Sequence, residues 1–343
     1  MRKVKKVLKW FLFIVLIVII TGMIFPTWTP KIKGKNSISE LKQIEINGAK
    51  HGVMIRGEDV NNPIIIYIHG GPGVSEMPYI AKYQDLLEKN FTIVNYDQRG
   101  TGKSYHFFED YSDLSSERIV DDLLKLTDYI SERFNKEKVI LAGHSWGSLV
   151  GIKAVAQAPE KYSVYIGIGQ VANIHESEID SLNYCLVQAQ KMVETEDISK
   201  LKELRTKIET GSAFTPRRYI RKYGGAARLI DDRRELKVGF YLRPEYNLLD
   251  RIRYERGIFR AQKPLLEEIL SNSLPESIKS LKIPFYFVMG KYDYMTSAEA
   301  SRDFFKMIEA PEKEFVMFKN SAHYPHFEEK VKFSQWLTDK FAE

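Results

Sequence analysis

A glycine-flanked serine at residues 143–147 constrains the fold of this chain more than any other part of its sequence. An apolar run at 138–142 leads directly into Gly143-His144-Ser145-Trp146-Gly147, and an apolar stretch compatible with a helix follows. A serine on such a tight strand-to-helix turn has a strained backbone, and only small residues two positions before and after it let the two arms approach. The pattern therefore predicts that Ser145 projects from the end of a strand as an exposed nucleophile.

Strands and helices alternate on both sides of this turn. Apolar runs of strand length lie at 63–68, 91–96, 163–170, 284–290 and 314–318, and apolar residues recur at helical spacing over 119–134 and 331–341. Two further runs flank Asn47-Gly48 and predict a β-hairpin near the start. Strands that alternate with helices indicate a mostly parallel, doubly wound sheet.

The alternation is interrupted between residues 171 and 280. This stretch is rich in charge, mainly helical in its pattern and without strand-turn-helix units. We therefore expect an α/β core formed by residues 31–170 and 281–343, with an inserted helical cap at 171–280.

The first 30 residues predict a membrane anchor. No charged residue interrupts residues 10–25, and Val7 and Leu8 extend the apolar run to about the length that spans a bilayer. The positive-inside rule favours a cytoplasmic N-terminus, because basic residues are denser before the run than after it: Arg2, Lys3, Lys5, Lys6 and Lys9, against Lys31, Lys33 and Lys35. We expect a single-pass protein of the cell membrane with an extracytoplasmic catalytic domain. A cleaved signal peptide is the alternative, although no clear small-x-small cleavage site follows.

Composition excludes several other classes. The formal net charge is +6, but it is concentrated near the N-terminus and forms no long basic block, so a nucleic-acid partner is not expected. The single cysteine, Cys185, cannot form an internal disulfide. No histidines and cysteines have the spacing of a metal site, and residues 100–104 lack the earlier glycine that a phosphate-binding loop requires. We therefore expect no cofactor and no metal.

A serine nucleophile needs a base and a group that orients the base. Asp293 follows the apolar run at 284–290, and His323 follows the run at 314–318, so both lie at predicted strand ends. His326 is the alternative base, but its position favours packing at the start of the last helix. His144 adjoins the nucleophile, and its side chain should point away from that of Ser145.

The motifs together resemble the α/β-hydrolase superfamily, and among its branches the proline iminopeptidases. The resemblance covers residues 40–170 and 281 onward, and it rests on the contexts of Asp293 and His323 and on three motifs: His69-Gly70-Gly71-Pro72-Gly73, Asp97-Gln98-Arg99-Gly100-Thr101-Gly102-Lys103-Ser104 and Gly143-His144-Ser145-Trp146-Gly147-Ser148. The chain order serine, aspartate, histidine is that of the superfamily. The backbone N–H groups of Gly71 and Trp146 are the expected oxyanion hole.

The branch also has implications for the substrate. Its members are serine peptidases that remove N-terminal residues, often proline, and the resemblance implies acidic cap residues that bind the free amine of the substrate. Glu176 and Glu178 lie in a suitable place, just after the strand at 163–170. The alternative is that both acids belong to the solvated first turn of a helix, where negative charge favours the helix dipole.

These observations predict a membrane-anchored serine hydrolase that acts through an acyl-enzyme on short peptides or small amides. A carboxylesterase or lactonase with the same three residues is one alternative. A catalytically silent binding module at the cell surface is another, although the complete set of triad and oxyanion residues argues against it.

Overall fold

An eight-stranded sheet forms the centre of the computed structural model, which describes residues 2–271 and 274–342. The strand order is β1-β2-β4-β3-β5-β6-β7-β8. The strands are β1 Ile38–Ile46, β2 Ala49–Gly57, β3 Ile64–Ile68, β4 Thr92–Tyr96, β5 Val139–His144, β6 Tyr162–Ile168, β7 Phe285–Gly290 and β8 Lys313–Phe318. The apolar runs of the sequence thus predicted the strands correctly.

Most of the sheet is parallel. Strands β1 and β2 form the antiparallel hairpin predicted around Asn47-Gly48, with Ile46 opposite Ala49, and β2 also pairs with β4 in antiparallel fashion. All other neighbouring strands are parallel. Every residue of β3, β4 and β5 is buried, as expected for strands that are covered on both faces.

Helices cover both faces of the sheet, which confirms the predicted doubly wound arrangement. Helices α3 Ser116–Phe134, α4 Trp146–Gln157 and α11 Ala298–Met307 pack on one face. Helices α2 Met77–Gln84 and α13 Lys330–Phe341 pack on the other, and the short α12 Pro325–Glu328 precedes α13. Helix α3 is capped at its N-terminus, because Ser115 Oγ accepts a hydrogen bond from the backbone N–H of Arg118.

A run of helices separates β6 from β7: α5 Ile174–Lys191, α6 Thr195–Glu209, α7 Arg217–Lys222, α8 Asp232–Leu242, α9 Leu248–Ser271 and α10 Leu274–Ser277. Several of them share a hydrophobic cluster of their own, which includes Leu182, the buried Cys185, Leu201 and Ile220. The mainly helical character predicted for 171–280 is therefore present. The cap boundaries stay predictions, and residues 272 and 273 lie outside the described residues.

The N-terminal helix α1, Arg2–Ile24, is long and apolar enough to cross a membrane. Its candidate span, Lys3–Ile24, has 22 residues and is 0% buried against the rest of the protein. A signal sequence has the same length and composition, so the fold identifies a candidate span and leaves its topology open.

The residues that follow α1 are attached to the domain. The buried Arg56 donates through Nη1 to Thr29 Oγ1 and to the carbonyl of Pro30, both at 2.6 Å, while its Nε lies 2.5 Å from Glu88 Oε1. The backbone N–H of Trp28 donates to Pro244 O at 3.2 Å. The structured domain therefore includes residues that precede the predicted boundary at 30.

Candidate active site

Ser145 lies on the predicted turn between β5 and α4. Its backbone has φ 53° and ψ −122°, and its N–H donates to Ile168 O at 2.9 Å. A Cβ on Gly143 would lie 2.3 Å from Gly147 O, and a Cβ on Gly147 would lie 2.2 Å from Ile68 O. Because neither position can accept a side chain, the two glycines are required for this turn. The side chain of Ser145 remains partly exposed.

His323 and Asp293 form a buried pair in the loops after β8 and β7. His323 Nδ1 lies 2.9 Å from Asp293 Oδ2. The carboxylate also accepts the backbone N–H groups of Met295 and Thr296, at 2.9 and 3.1 Å, and the hydroxyl of Thr296 at 3.0 Å. These donors fix the carboxylate so that one oxygen faces His323.

The electrostatics of this pair suit a base with an ionised partner. Burial by itself would raise the pKa of Asp293, but the adjacent His323 and the backbone N–H donors hold that pKa below its ordinary value. Burial lowers the pKa of His323, although the carboxylate of Asp293 acts in the opposite direction. Asp293 is therefore ionised near neutral pH, and His323 is neutral and able to accept a proton.

The end of β6 brings the pair close to Ser145. Ser145 N–H bonds to Ile168, the last residue of β6, and a Cβ on the next residue, Gly169, would lie 3.0 Å from His323 Nδ1 and 3.3 Å from Asp293 Oδ2. Within the part of the chain that the structure describes, Ser145 Oγ makes no hydrogen bond to His323. Such catalytic hydrogen bonds often tighten only when substrate binds.

The segments that carry the two expected oxyanion donors lie beside Ser145, because Trp146 follows it in the chain and a Cβ on Gly70 would lie 3.2 Å from Ser145 Cβ. Trp146 is the first residue of α4, and Gly71 has φ 137° in the loop after β3. Neither backbone N–H has an acceptor among the described residues. Gln98 connects these two segments, because its Nε2 donates to His69 O and its Oε1 accepts Trp146 Nε1, both at 2.8 Å. The sequence pattern does not indicate this role of Gln98, because the role depends on β4 lying next to β3.

The two acids proposed to bind an amine have different environments. Glu178 is buried and is 2.6 Å both from Arg217 Nη2 and from the backbone N–H of Thr215. Glu176 lies in the first turn of α5, is exposed, and its carboxylate makes no ion pair among the described residues. The carboxylate of Glu178 is therefore occupied by contacts within the protein, whereas that of Glu176 has no ion-pair partner among the described residues. Amine binding stays a prediction.

A buried polar cluster lies beneath the His323 loop. His144 Nδ1 is 2.6 Å from Glu76 Oε1, and its Nε2 is 3.0 Å from the carbonyl oxygen of His323, so its ring points away from Ser145 as predicted. Tyr67 Oη donates to Glu76 Oε2 and contacts His326 Nε2, both at 2.8 Å. His326 is thus packed in this cluster, whereas His323 is paired with Asp293.

One possible ligand atom from each of Glu76, His144 and His326 lies within 4.8 Å of the others. Their sequence positions gave no sign of this grouping, because the three residues come from distant parts of the chain. In the structure, they hydrogen-bond directly or through Tyr67. These bonds account for their proximity without a metal.

The chain is similar in sequence to a known fold family and to several named proteins. A sequence profile of the alpha/beta hydrolase fold matches residues 63–330. The chain is 32% identical over 314 residues to "Probable aminopeptidase YbaC" of Bacillus subtilis (strain 168), covering 90% of this chain and 98% of that protein. It is 25% identical over 283 residues to a proline iminopeptidase of Saccharolobus solfataricus, covering 81% of this chain and 84% of that protein.

Solved structures show the same fold. The crystal structure of a proline iminopeptidase from Mycobacterium smegmatis superimposes with a TM-score of 0.66 at 14% sequence identity. The superposition covers 88% of this chain and 97% of that one.

Proposed function

Because this chain belongs to the α/β-hydrolase fold family, in its proline iminopeptidase-like branch, we propose that it is a serine hydrolase. Ser145 is the nucleophile, His323 is the general base, and the carboxylate of Asp293 orients the base. One observation carries the proposal. The strained Ser145 and the His323–Asp293 hydrogen bond of 2.9 Å lie on either side of the end of β6. This arrangement supplies a nucleophile, a base and a fixed tautomer at one edge of the sheet.

The reaction follows from these positions. Ser145 Oγ attacks the substrate carbonyl carbon, and its proton moves to His323 Nε2. The resulting oxyanion accepts the N–H groups of Gly71 and Trp146. When the tetrahedral intermediate collapses, His323 returns the proton to the leaving amine and an acyl-enzyme remains. Water then attacks the ester with His323 as base, which releases the acid and restores Ser145.

The preferred substrates are short peptides or small amides with a free N-terminus. The names of the Bacillus and Saccharolobus relatives, an aminopeptidase and a proline iminopeptidase, support this class. Glu176 is the better of the two candidates for the substrate ammonium, since its carboxylate is exposed and unpaired among the described residues. Glu178 could bind the substrate ammonium only after its ion pair with Arg217 is broken.

A carboxylesterase or lactonase is the second candidate. It is favoured by the environment of Glu178, whose carboxylate is occupied by Arg217 and the N–H of Thr215. If Glu176 has no contact with substrate either, neither of the two predicted acids selects for an amine. The same triad would then cleave an ester by the same steps.

We also propose that α1 remains as a single-pass membrane anchor with the catalytic domain outside the cell. The supporting observations are the apolar length of Lys3–Ile24 and the higher density of basic residues before the apolar run than after it. Protease protection of the full chain in sealed vesicles would test this orientation. Protection of the domain in inside-out vesicles, together with a mass that includes α1, is the expected result.

The function is tested with the full-length chain in detergent micelles. Prolyl and alanyl p-nitroanilides, their N-acetylated forms and a p-nitrophenyl acyl ester are compared, with Ser145→Ala as control. We expect rapid cleavage of the free-amine anilides, weak cleavage of the acetylated ones and loss of both in the variant. Turnover of the ester alone would favour the second candidate, and substantial activity in Ser145→Ala would contradict the mechanism.

A further inference from the structure

The helical region between β6 and β7 contacts the last turn of the candidate membrane span. A Cβ on Gly22, which lies in α1, would be 3.7 Å from Cβ of Leu248, the first residue of α9. The neighbouring Asn247 donates through Nδ2 to the carbonyl oxygen of Phe25 at 3.0 Å. The residues that join α8 to α9 are thus held against the end of α1.

This contact determines how close the domain comes to a bilayer that α1 crosses. Gly22 lies within the uncharged run at 10–25, about 5 Å before its end along the helix axis. A run of this length ends near the edge of the hydrocarbon core. Leu248, which lies beside Gly22, is therefore at the level of the lipid headgroups or just below them. The start of α9 lies against lipid.

Exposed side chains next to this contact suit a lipid interface. Tyr241 and Leu242, the last two residues of α8, are 70% and 75% exposed. Leu242 is two residues from Pro244, whose carbonyl oxygen accepts the N–H of Trp28 at 3.2 Å. The side chain of Trp28 is itself 51% exposed. Tryptophan and tyrosine are the residues enriched where a membrane meets water, because their rings combine an apolar body with a polar tip.

Basic side chains accompany these apolar residues. Arg234 and Lys237 are exposed and precede Tyr241 at helical spacing, so the three lie on one face of α8. Arg234, Lys237 and Arg243 make no ion pair with the residues that the structure describes. The guanidinium carbon of Arg251 lies 4.8 Å from the centroid of the Tyr241 ring. Cations beside exposed apolar side chains are typical of a surface that binds anionic lipids.

We propose that an interfacial patch, formed by Trp28, Tyr241, Leu242, Arg243 and Arg251, inserts into the headgroup region of the leaflet on the domain side and binds the phosphates of anionic lipids. This inference rests on the proposed membrane anchor, α1. The apolar side chains enter the boundary between headgroups and acyl chains, and the guanidinium groups bind the phosphates. The contact fixes the orientation of the domain on the membrane.

The test places a fluorophore on the patch in the full-length chain. Leu242→Cys is labelled with nitrobenzoxadiazole in nanodiscs of about three parts phosphatidylcholine to one part phosphatidylglycerol. The native Cys185 is buried, and burial raises the pKa of its thiol to about 12, so it stays unlabelled. Lipids with a nitroxide just below the headgroup are expected to quench about half of the emission, because an interfacial patch reaches that depth.

Met307→Cys is the matched control. Met307 is an exposed apolar residue at the end of α11, which packs beside β7 near one edge of the sheet. The chain after α1 is instead bound to Arg56 on β2, near the opposite edge. The label at 307 is expected to lose little emission. Equal quenching at the two positions, whether weak or strong, would overturn the proposal.

Two further measurements identify what covers the patch. If the label at 242 is shielded from aqueous iodide but is not quenched by the nitroxide lipids, a protein such as a second copy of the chain covers the patch, and the proposal is wrong. Nanodiscs of phosphatidylcholine alone are expected to give weaker quenching at 242, because the anionic headgroups are missing. Unchanged quenching would overturn the role of anionic lipids.

Failure of the anchor has a different signature. A chain that does not elute with the nanodiscs, or whose mass lacks α1, contradicts the anchor, and this inference fails with it. A chain that elutes with the nanodiscs while its label at 242 is quenched no more than the label at 307 contradicts this inference alone. Neither result changes the assignment of Ser145, which hydrolysis by Ser145→Ala tests separately.

Discussion

The Nδ1 atom of His323 lies 2.9 Å from Oδ2 of Asp293, and both side chains are buried. This geometry requires that Nδ1 carries the proton, which leaves Nε2 free to accept the proton of Ser145. The tautomer of His323, the proposed base, is thus set by a carboxylate whose orientation is fixed by three further donors from Met295 and Thr296.

Asp293→Asn is expected to lower kcat by roughly a thousandfold or more, because the amide no longer selects the Nδ1–H tautomer or stabilises the imidazolium. Steady-state kinetics on the best substrate measure the loss. Thr296→Val is the matched control, since it removes one donor to the carboxylate but keeps the charge. A similar loss in both variants would show that packing, and not the carboxylate, is responsible.

The acid limb of kcat/KM is expected below pH 6.5, the ordinary pKa of histidine. Burial lowers the pKa of His323, and only the neutral ring can accept the Ser145 proton, so activity falls as the pH drops through that lowered value. A pH series from mildly acid to neutral, with stability checked at each point, measures the limb. An inflection above the ordinary value would contradict His323 as a desolvated base.

Ser145→Gly is expected to abolish activity and to raise the free energy of unfolding by about 1 kcal/mol. Glycine adopts φ 53° without the steric cost that serine bears there. Ser145→Ala is the matched control, because it removes the same hydroxyl but keeps a Cβ in the strained turn. Chemical denaturation compares the three proteins. Equal stability of the two variants would mean that the turn stores little strain.

The sequence predicted the part of the site that depends on local pattern. The turn at Ser145 needs two glycines at fixed spacing, and Asp293 and His323 each follow a recognisable apolar strand, so all three positions could be identified along the chain. The mostly parallel sheet and its buried central strands followed from the alternation of strands and helices. These features depend on chain periodicity, which a sequence displays directly.

The interactions that cross the sheet were not predictable in this way. Gln98 joins the His69 loop to Trp146, and Glu76 meets His144, 68 positions away in the chain. The periodicity of the sequence does not distinguish such residues, because the order of the strands in the sheet determines which residues they contact. The packing of Thr29 against Arg56 was not predicted either, because the two residues are 27 positions apart and Thr29 lies within the predicted anchor, residues 1–30.

Thr29→Val in the full-length chain is expected to lower the free energy of unfolding by about 2 kcal/mol, because a charge-assisted hydrogen bond to buried Arg56 is lost. Thr27→Val is the control. Thr27 accepts from Lys103 at 2.9 Å, but it is only partly buried and Lys103 retains Asp250. Denaturation in detergent compares both variants with the wild type. If Thr29→Val is no less stable than Thr27→Val, residues 25–30 are not an integral part of the domain.

Glu176→Gln is expected to raise KM for free-amine anilides about fivefold and to leave ester hydrolysis nearly unchanged, because an exposed carboxylate that binds an ammonium contributes on the order of 1 kcal/mol. Glu178→Gln should behave differently. It removes the ion pair with Arg217 and leaves one amide oxygen for donors that now share two carboxylate oxygens, so it is expected to lower stability by about 1 to 3 kcal/mol and to affect both substrate classes alike. Arg217→Gln, which breaks the same ion pair from the other side, should reproduce the Glu178 result. A selective rise in KM for amines in Glu178→Gln but not in Arg217→Gln would instead make Glu178 the residue that binds the substrate amine.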